Sequence, residues 1–289
     1  MFETLFTLLL AGTLGTSAPM SNLASSFDES QLLHVSQLPY QEVESLNPYM
    51  SANSVLAIDL DSQATLYENN ANAVVPIASL TKLMTAYIAL TENDPNGIVK
   101  VSANAAGTIG SRMGLYTNEE ITVKNLLFGL LIRSGNDAAV ALAEHNAGSV
   151  SNFVEKMNQK AAELGLENTV YKNPTGLDSS GAHSSARDLS ILSTRLLKFS
   201  SIQEIVGIQK TSVSSQSGHA HELTNTNILL GQNGIKGLKT GKTLAAGECL
   251  ISFAESPDGH EIITIVLGSA NRFTDTKALV DWIYNSFAW

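Results

Sequence analysis

The order of strand-like and helix-like segments most constrains the fold of this chain. Six segments are predicted to be strands, at residues 55–60, 64–67, 209–214, 237–240, 249–254 and 262–267. The first two form a hairpin ahead of a long helical middle, and the other four follow it, so strands do not alternate with helices as they would in a parallel sheet. The sequence therefore predicts an α+β fold, in which the first hairpin and a final helix over 274–287 fold back onto the late strands.

Helical periodicity fills the region between the two sets of strands. The predicted helices cover residues 77–90, 122–133, a segment from about 136, 150–164 and 186–199. Thr122 precedes an apolar run and is a plausible N-cap, and Gly165 is placed to end a helix. Because helices follow each other here with short breaks, the sequence predicts an all-helical lobe beside an antiparallel sheet flanked by helices.

The first fifty residues differ from the rest. Residues 5–11 are apolar and residues 12–18 are small, a pattern typical of a secretory signal, although no Lys or Arg precedes it and Pro19 disfavours cleavage at that point. We interpret residues 1–20 as a signal or N-terminal anchor, with a short buried helix as the alternative. Residues 21–50 are predicted to be a loosely packed linker or leader, and residues 51–289 a single domain.

Composition excludes several classes of function. Hydrophobic residues make up 44% and charged residues 15% of the 289 positions, enough apolar content for a large core. The formal net charge of −10, without a Lys/Arg cluster, disfavours nucleic acid as a partner. Cys249 is the single cysteine, which excludes an internal disulfide and a cysteine metal cluster. The sequence has no apolar run of 18 residues, so no persuasive membrane span is predicted beyond a possible N-terminal anchor.

Ser79 and Lys82 lie three residues apart at the start of the first predicted helix, and therefore on one face of it. A serine hydroxyl is a weak nucleophile until a base removes its proton, and a lysine amine can do so when burial or neighbouring cations lower its pKa. The free N–H groups of a helix N-terminus can stabilise an oxyanion. Alone the pair is a weak signal, because the same spacing occurs by chance in many proteins.

Two further tripeptides supply what acyl transfer needs. Ser134-Gly135-Asn136 falls at a helix break, where Ser134 can relay a proton to a leaving amine and the Asn136 amide can bind a substrate carbonyl. Lys239-Thr240-Gly241 falls on a predicted strand. Lys239 can attract an anionic substrate and keep a nearby amine neutral, Thr240 can bind a carboxylate, and Gly241 lets a peptide approach the strand edge as an added strand.

Together these elements resemble the serine-type D-Ala-D-Ala carboxypeptidases of the low-molecular-mass penicillin-binding protein family, with their S-x-x-K, S-x-N and K-T-G motifs. The resemblance covers about residue 51 to the C-terminus. The segments that carry it are Ile77-Ala78-Ser79-Leu80-Thr81-Lys82-Leu83-Met84-Thr85, Ser134-Gly135-Asn136-Asp137-Ala138-Ala139, Asn173-Pro174-Thr175-Gly176-Leu177, His183-Ser184-Ser185-Ala186-Arg187-Asp188-Leu189 and Gly237-Leu238-Lys239-Thr240-Gly241-Lys242-Thr243.

The resemblance implies a β-lactamase/DD-peptidase-like fold and a cofactor-free hydrolase. It acts on peptidoglycan stem peptides, removes the terminal D-Ala and is inhibited by β-lactams. Ser79 is expected to form the acyl-enzyme and Lys82 to be its base. Ser134 completes the catalytic set, and Asn136 flanks the cleft on the substrate side. An exported location is expected, in the periplasm or the extracytoplasmic cell-wall space, with membrane association through the N-terminus as an option.

The same resemblance assigns the substrate-binding strand. Lys239, Thr240 and Gly241 are expected to bind the terminal carboxylate side, and the backbone N–H groups of Ser79 and Lys242 to form the oxyanion hole. Arg272 matches an arginine that helps to hold the substrate carboxylate in relatives, with a surface charge near the last helix as the alternative.

Two departures from the family pattern affect these expectations. Lys242 stands where relatives often carry an aromatic residue or histidine, which puts substrate preference in doubt. The sequence ends at Trp289, so we expect a bare catalytic domain without the C-terminal β domain and membrane anchor of many relatives.

Histidines offer other chemistry that the sequence does not favour. His183 has no evident acidic partner and is interpreted as a support residue beside the cleft. His219 and His221 form an H-x-H pair in what is predicted to be a polar loop, where the side chains would be solvated. No third ligand is placed near them, so a metal site is not predicted.

Three alternative functions remain open at this point. A D,D-endopeptidase acting on peptidoglycan cross-links would use the same residues. A serine β-lactamase of class A deacylates with a glutamate in a loop ahead of the last motif. Residues 173–185 contain no glutamate, and Glu163 and Glu167 belong to the preceding helix end and turn. A non-catalytic peptidoglycan-binding protein would not need all the motif residues intact.

Overall fold

The computed structural model describes residues 38–42 and 46–289. The predicted signal or anchor over residues 1–20 and most of the predicted linker over 21–50 lie outside the described residues. In chain order the elements are β1 (Tyr40–Gln41), β2 (Ser54–Asp59), β3 (Thr65–Asn69), a 3₁₀ turn (Ala78–Thr81), α1 (Lys82–Glu92), β4 (Ile98–Lys100), α2 (Ala103–Ala106), β5 (Glu120–Thr122), α3 (Val123–Leu131), α4 (Asn136–Ala147), α5 (Val150–Glu163), α6 (Ala186–Leu197), α7 (Ser200–Gly207), β6 (Lys210–Ser214), β7 (Ala220–Thr224), β8 (Ile235–Thr243), β9 (Gly247–Glu255), β10 (Glu261–Ser269), α8 (Arg272–Ser286) and β11 (Phe287–Ala288).

A five-stranded antiparallel sheet in the order β3-β2-β10-β9-β8 forms the centre of the fold. Successive side chains of a strand point to opposite faces, and β2 shows this clearly. Leu56 and Ile58 enter the core on the side of the helical lobe, whereas Val55 and Ala57 enter a second core that includes residues of α8. The predicted α+β class, with the hairpin and the last helix folded onto the late strands, is therefore confirmed.

The helical lobe is organised around α1. The 3₁₀ turn and α1 bury most of their side chains, because helices α3, α4, α5 and α6 surround them. Thr122 caps α3 as predicted, since its hydroxyl accepts a hydrogen bond from the Asn125 N–H at 3.1 Å. The lobe also carries the two-stranded β4–β5 sheet, which lies between the first two predicted helices of the lobe in sequence and was not predicted.

The elements that the sequence did not predict include β1, α7 and β7. In the segment expected to be a loose leader, Tyr40 and Gln41 pair with the end of the chain, Tyr40 opposite Ala288. Both side chains are exposed, so no apolar alternation marks this strand. Helix α7 follows α6 directly, and β7 pairs with β6 over the region of the H-x-H pair that was expected to be a loop.

The sheet ends at β8, and this edge strand positions the site. Strand β8 pairs with β9 on one side, with Lys239 opposite Ile251 and Gly241 opposite Cys249. It packs against the 3₁₀ turn that precedes α1. Among the described residues, none of the helices combines the length and the apolar character that crossing a membrane requires.

Candidate active site

Ser79 lies in the 3₁₀ turn and Lys82 is the first residue of α1. Side chains at positions i and i+3 of a 3₁₀ helix eclipse each other, so the turn brings the two groups together more directly than the predicted α-helix would. Lys82 Nζ lies 2.9 Å from Ser79 Oγ and donates a second hydrogen bond, of 2.5 Å, to the carbonyl of Thr175. The lysine is fully buried.

The environment of Lys82 favours a neutral amine. Burial lowers its pKa well below the ordinary lysine value, and the positive charge of Lys239 lowers it further. The Asp137 carboxylate acts in the opposite direction and raises the pKa, as the smallest of the three causes. A lysine in this setting can accept a proton from Ser79 near neutral pH.

The turn over residues 173–176 holds the nucleophile from the other side. The Asn173 side-chain oxygen accepts hydrogen bonds from the Thr175 N–H, the Thr175 hydroxyl and the Gly176 N–H at 3.1, 2.8 and 2.7 Å. Gly176 adopts a positive φ of 78°, and a Cβ there would lie 1.9 Å from the Ala78 carbonyl oxygen. This segment was named above only among those that carry the resemblance, although Asn-Pro-Thr-Gly is a strong turn signal.

The second predicted segment lies between α3 and α4. Ser134 breaks the helix with a φ of 60°, and Asn136 begins α4. Both are buried, and the Asn136 amide donates to the Ile109 carbonyl at 2.7 Å. The next residue, Asp137, is close enough for its charge to act on Lys82.

The third predicted segment lies on β8. Lys239 and Thr240 are buried, the Lys239 ammonium donates to the Thr240 carbonyl at 2.9 Å, and the Thr240 hydroxyl lies 2.6 Å from that of Thr226. Burial, assisted by the positive charge of Arg272, lowers the pKa of Lys239 to about 7. The site therefore contains two buried amines with lowered pKa values, Lys82 on α1 and Lys239 on β8.

Gly241 is required by the protein itself. A Cβ at this position would lie 3.1 Å from the Ala78 Cβ, the Ile77 carbonyl oxygen and the Ser79 nitrogen. The sequence analysis interpreted Gly241 as allowing a substrate to approach. The structure adds that its lack of a side chain lets β8 approach the nucleophile turn.

Lys242 lies near the C-terminal end of β8, and Arg272, from the start of α8, contacts the same part of that strand. The Lys242 side chain is exposed and pairs with Glu248 at 2.8 Å. Arg272 begins α8, donates from Nη1 to the Gly241 carbonyl at 3.0 Å, and stacks on the Phe273 ring at 4.6 Å. The guanidinium is thus a half-buried group that braces β8, and it stands close enough to lower the pKa of Lys239.

The histidines stand apart from this cluster. His183 pairs through its backbone with Val170 and lines a cavity of about 340 Å³ beside the nucleophile turn. The interpretation of the H-x-H pair as a solvated loop was wrong for His221. That residue lies on β7, is buried, and has Nε2 at 2.5 Å from Glu119 Oε1. Over residues 38–42 and 46–289, no group of three or more His, Cys, Asp or Glu side chains is placed to hold a metal ion.

The fold and this cluster define a class of protein: a β-lactamase-like α+β enzyme with a serine beside a buried lysine. A family model described as D-alanyl-D-alanine carboxypeptidase matches residues 41–271. The chain belongs to that D-alanyl-D-alanine carboxypeptidase family, and the hydrolase class expected from its motifs is confirmed.

Similar proteins agree with this assignment. The chain is 36% identical to D-alanyl-D-alanine carboxypeptidase DacF of Bacillus subtilis, over 99% of this chain and 72% of DacF. It is 32% identical to D-alanyl-D-alanine endopeptidase of Escherichia coli, over 82% of this chain and 78% of that protein. Among solved structures it is similar to the Streptomyces K15 DD-transpeptidase, with a TM-score of 0.78 at 28% identity, over 83% of this chain and all of that one.

Proposed function

We propose that the chain is a serine D-alanyl-D-alanine carboxypeptidase that removes the terminal D-Ala from peptidoglycan stem pentapeptides. The reaction proceeds through an acyl-enzyme at Ser79. The observation that carries the proposal is the 2.9 Å approach of Lys82 Nζ to Ser79 Oγ, combined with the burial that lowers the pKa of the amine. A hydroxyl and a neutral amine at this distance form an activated nucleophile.

In the first step, Ser79 Oγ attacks the carbonyl carbon of the penultimate D-Ala as Lys82 takes the hydroxyl proton. The carbonyl π bond opens to an oxyanion, which the backbone N–H groups of Ser79 and Lys242 bind. Pre-aligned donors of this kind contribute on the order of 3 kcal/mol each to transition-state stabilisation. Gly241 serves this step by letting β8 lie against the nucleophile turn, where its Cβ would otherwise meet the Ser79 nitrogen at 3.1 Å.

In the second step, the C–N bond to the terminal D-Ala breaks as its nitrogen receives a proton from Lys82 through Ser134. The free D-Ala leaves, and a water molecule then adds to the ester carbon and releases Ser79. Lys239, Thr240 and Arg272 bind the carboxylate of the terminal residue, and Asn136 binds the amide that precedes the scissile bond. Support comes from Arg272, whose positive charge is close enough to Lys239 to lower its pKa, so the two cationic side chains lie near each other.

The test uses a pentapeptide that ends in D-Ala-D-Ala, with release of free D-Ala measured for the wild type and for Ser79→Ala. We expect stoichiometric D-Ala from the wild type and none from the variant. Labelling by a fluorescent penicillin gives a second measurement, because a stable acyl-enzyme should form in the wild type only. Absence of both D-Ala release and labelling in the folded wild type would overturn the proposal and favour a binding protein.

A D,D-endopeptidase is the second candidate, because one relative carries that name and spans 82% of this chain. A cross-linked muropeptide dimer, offered in competition with the pentapeptide, separates the two activities. A β-lactamase is less well supported. Residues 173–185 contain no glutamate, and Glu163 at the end of α5 forms an ion pair with Lys160 at 2.5 Å, so rapid hydrolysis of penicillin is not expected.

The domain organisation and location complete the proposal. Residues 51–289 act as the catalytic domain, and residues 1–20 direct export or anchor the protein at the membrane, so that it meets its substrate in the cell-wall space. The apolar run of residues 5–11 with small residues after it supports this. Cell fractionation of the full chain and of a chain that lacks residues 2–20 tests it, with cytoplasmic retention expected only for the shortened chain.

A further inference from the structure

Asp137 is a fully buried carboxylate in the first turn of α4, directly after Asn136. Its oxygens accept hydrogen bonds from the backbone N–H groups of three consecutive residues that belong to a distant loop. Oδ1 accepts from Met113 at 3.0 Å, and Oδ2 accepts from Gly114 at 2.9 Å and Leu115 at 3.0 Å. A fourth bond, from the Ala138 N–H at 2.9 Å, reaches Oδ1 within its own helix.

Asp137 forms one long ion pair. The Nε of Arg112 lies 3.7 Å from Asp137 Oδ2, and the arginine side chain is 40% exposed. The guanidinium donates instead to the carbonyls of Ala106 and Leu115. Backbone N–H groups therefore provide most of the stabilisation of this anion, as in the concave nests that bind anions elsewhere.

The loop that Asp137 binds also holds the second motif. The Asn136 N–H donates to the Ser111 carbonyl at 2.7 Å, and the Ser111 hydroxyl donates to the Arg133 carbonyl at 2.7 Å. The Asn136 amide reaches the same loop at Ile109. Bonds from Asp137 at one end and from Asn136 at the other tie the loop to the helix break that presents Ser134.

Two charged groups act on the Lys82 amine from the elements around it. Lys239 approaches from β8 and lowers the pKa of Lys82, whereas Asp137 approaches from α4 and raises it. Asp137 therefore acts on the proposed base through its charge as well as through the loop that it holds.

We propose that Asp137 is a positioning residue for acyl transfer, because it fixes the 111–115 loop and thereby Asn136 and Ser134. This inference rests on the proposed function, because it assigns Asp137 a part in the same acylation step. The residue touches no substrate. Its effect is exerted through the residues that do.

The decisive experiment measures the rate of acylation by a fluorescent penicillin against pH, for the wild type and for Asp137→Asn. Loss of the anion lowers the pKa of Lys82, so the amine stays neutral to lower pH and the acidic limb of the profile moves to lower pH. The plateau rate should fall about 10-fold, because an amide accepts with one oxygen only and the loop bonds loosen. An unchanged profile, or a uniformly lower rate with an unmoved limb, would overturn the proposal.

Asp188→Asn is the matched control. Asp188 is also a buried carboxylate in the first turn of a helix, and it also accepts a backbone N–H from a loop, that of Asn168 at 2.7 Å. Its charge is not among those that act on Lys82. We expect Asp188→Asn to lower thermal stability while the acidic limb of the acylation profile stays in place. A limb that moved equally in both variants would contradict a specific role for Asp137.

Two further measurements keep the inference testable if Asp137→Asn folds poorly. Hydrogen exchange of the wild-type amides of Met113, Gly114 and Leu115 should be as slow as in the core helices, and fast exchange would contradict the pinned loop. Asp137→Glu keeps the charge but displaces it, so the limb should stay near the wild-type pH while the rate falls. Failure of the wild type to be labelled would refute the proposed function, whereas a labelled wild type with an unaltered Asp137→Asn refutes this inference alone.

Discussion

The two walls of the candidate cleft are built in different ways, and their charges shift the pKa of the Lys82 amine in opposite directions. The strand wall is β8, held by a regular ladder to β9, and it brings the positive charge of Lys239 towards Lys82. The helical wall is a helix break and a loop, held by bonds to the buried anion Asp137, which raises the pKa that Lys239 lowers. The difference suggests that the pKa of the proposed base is set by a balance between the walls.

Removing the amine itself should have the largest effect. Lys82→Ala leaves Ser79 without a base, so acylation by a fluorescent penicillin should fall at least about 1,000-fold, in line with the loss of activating groups in other serine hydrolases. Circular dichroism should show an intact fold, because the change removes a buried charge and shortens one side chain of α1. A labelling rate within tenfold of wild type would show that Lys82 is not the base. The opposite effects of the two walls on the pKa of Lys82 would then have no bearing on the acylation rate.

Removing the charge of the strand wall should have the next largest effect. Lys239→Met deletes the cation that lowers the pKa of Lys82, so the acidic limb of the acylation profile should move to higher pH, opposite to the shift expected for Asp137→Asn. Loss of the carboxylate partner should also lower kcat/KM for the pentapeptide, by about 100-fold on the scale of a buried charged hydrogen bond. Shifts in the same direction for the two variants would break the proposed balance.

The same substitution should stabilise the protein. The pKa of Lys239 is lowered to about 7 in the folded state, whereas an unfolded lysine titrates near 10.4, so folding disfavours the charged form. Lys239→Met should raise the free energy of unfolding at pH 7 by on the order of 2–4 kcal/mol. The gain over wild type should be greatest below pH 7 and should fade as the pH rises towards 10, because the unfolded lysine also loses its proton there. Denaturant melts at several pH values check this, and a destabilised variant would contradict it.

A glycine in each wall offers a matched and smaller perturbation. A Cβ at Gly241 would meet the Ser79 nitrogen at 3.1 Å, and one at Gly135 would meet Asp137 Oδ1 at 2.9 Å. Gly241→Ala should lower acylation about 10-fold with the acidic limb unmoved, because a small displacement of an oxyanion donor affects the rate at every pH. Gly135→Ala should lower the rate to a similar extent and also move the limb, because it displaces the Asp137 anion. Identical pH profiles of acylation for Gly241→Ala and Gly135→Ala would show that the two walls do not differ in their effect on the pKa of Lys82.

The walls also differ in how far the sequence predicts them. Residues 237–240 were predicted as one of the late strands, and the structure extends that strand to Ile235–Thr243. The position of Ser134 at a helix break was predicted from Ser134-Gly135 in the same way. Local pattern was enough to predict the α+β class, whereas the site residues around Ser79 and Lys82 were selected by the motifs taken together and by the resemblance that they carry.

The remainder depends on contacts between residues far apart in sequence, which a local pattern does not contain. The bonds from Asp137 to the 113–115 loop span 22 to 24 residues, and the bond from Lys82 to Thr175 spans 93. His221 was expected to be solvated because its neighbours are polar. Its burial becomes visible only when β7 pairs with β6 and brings the imidazole against Glu119. For His221, contacts with residues distant in sequence outweighed what the polar neighbours predict.

The contact between Glu119 and His221 gives the smallest expected effect on activity and tests how far the helical wall extends. Glu119 also accepts the Tyr116 N–H at 3.1 Å, one residue beyond the loop segment that Asp137 binds. Glu119→Ala leaves a buried imidazole and a backbone N–H without their acceptor, so the free energy of unfolding should fall by about 2–4 kcal/mol. Because Asp137 holds residues 113–115 independently, the acylation rate of the folded variant should change less than about threefold, with the acidic limb in place. A shift of the acidic limb would show that the β6–β7 hairpin is part of the helical wall. The hydrogen bonds from Asp137 would then not be sufficient to hold the 113–115 loop in place.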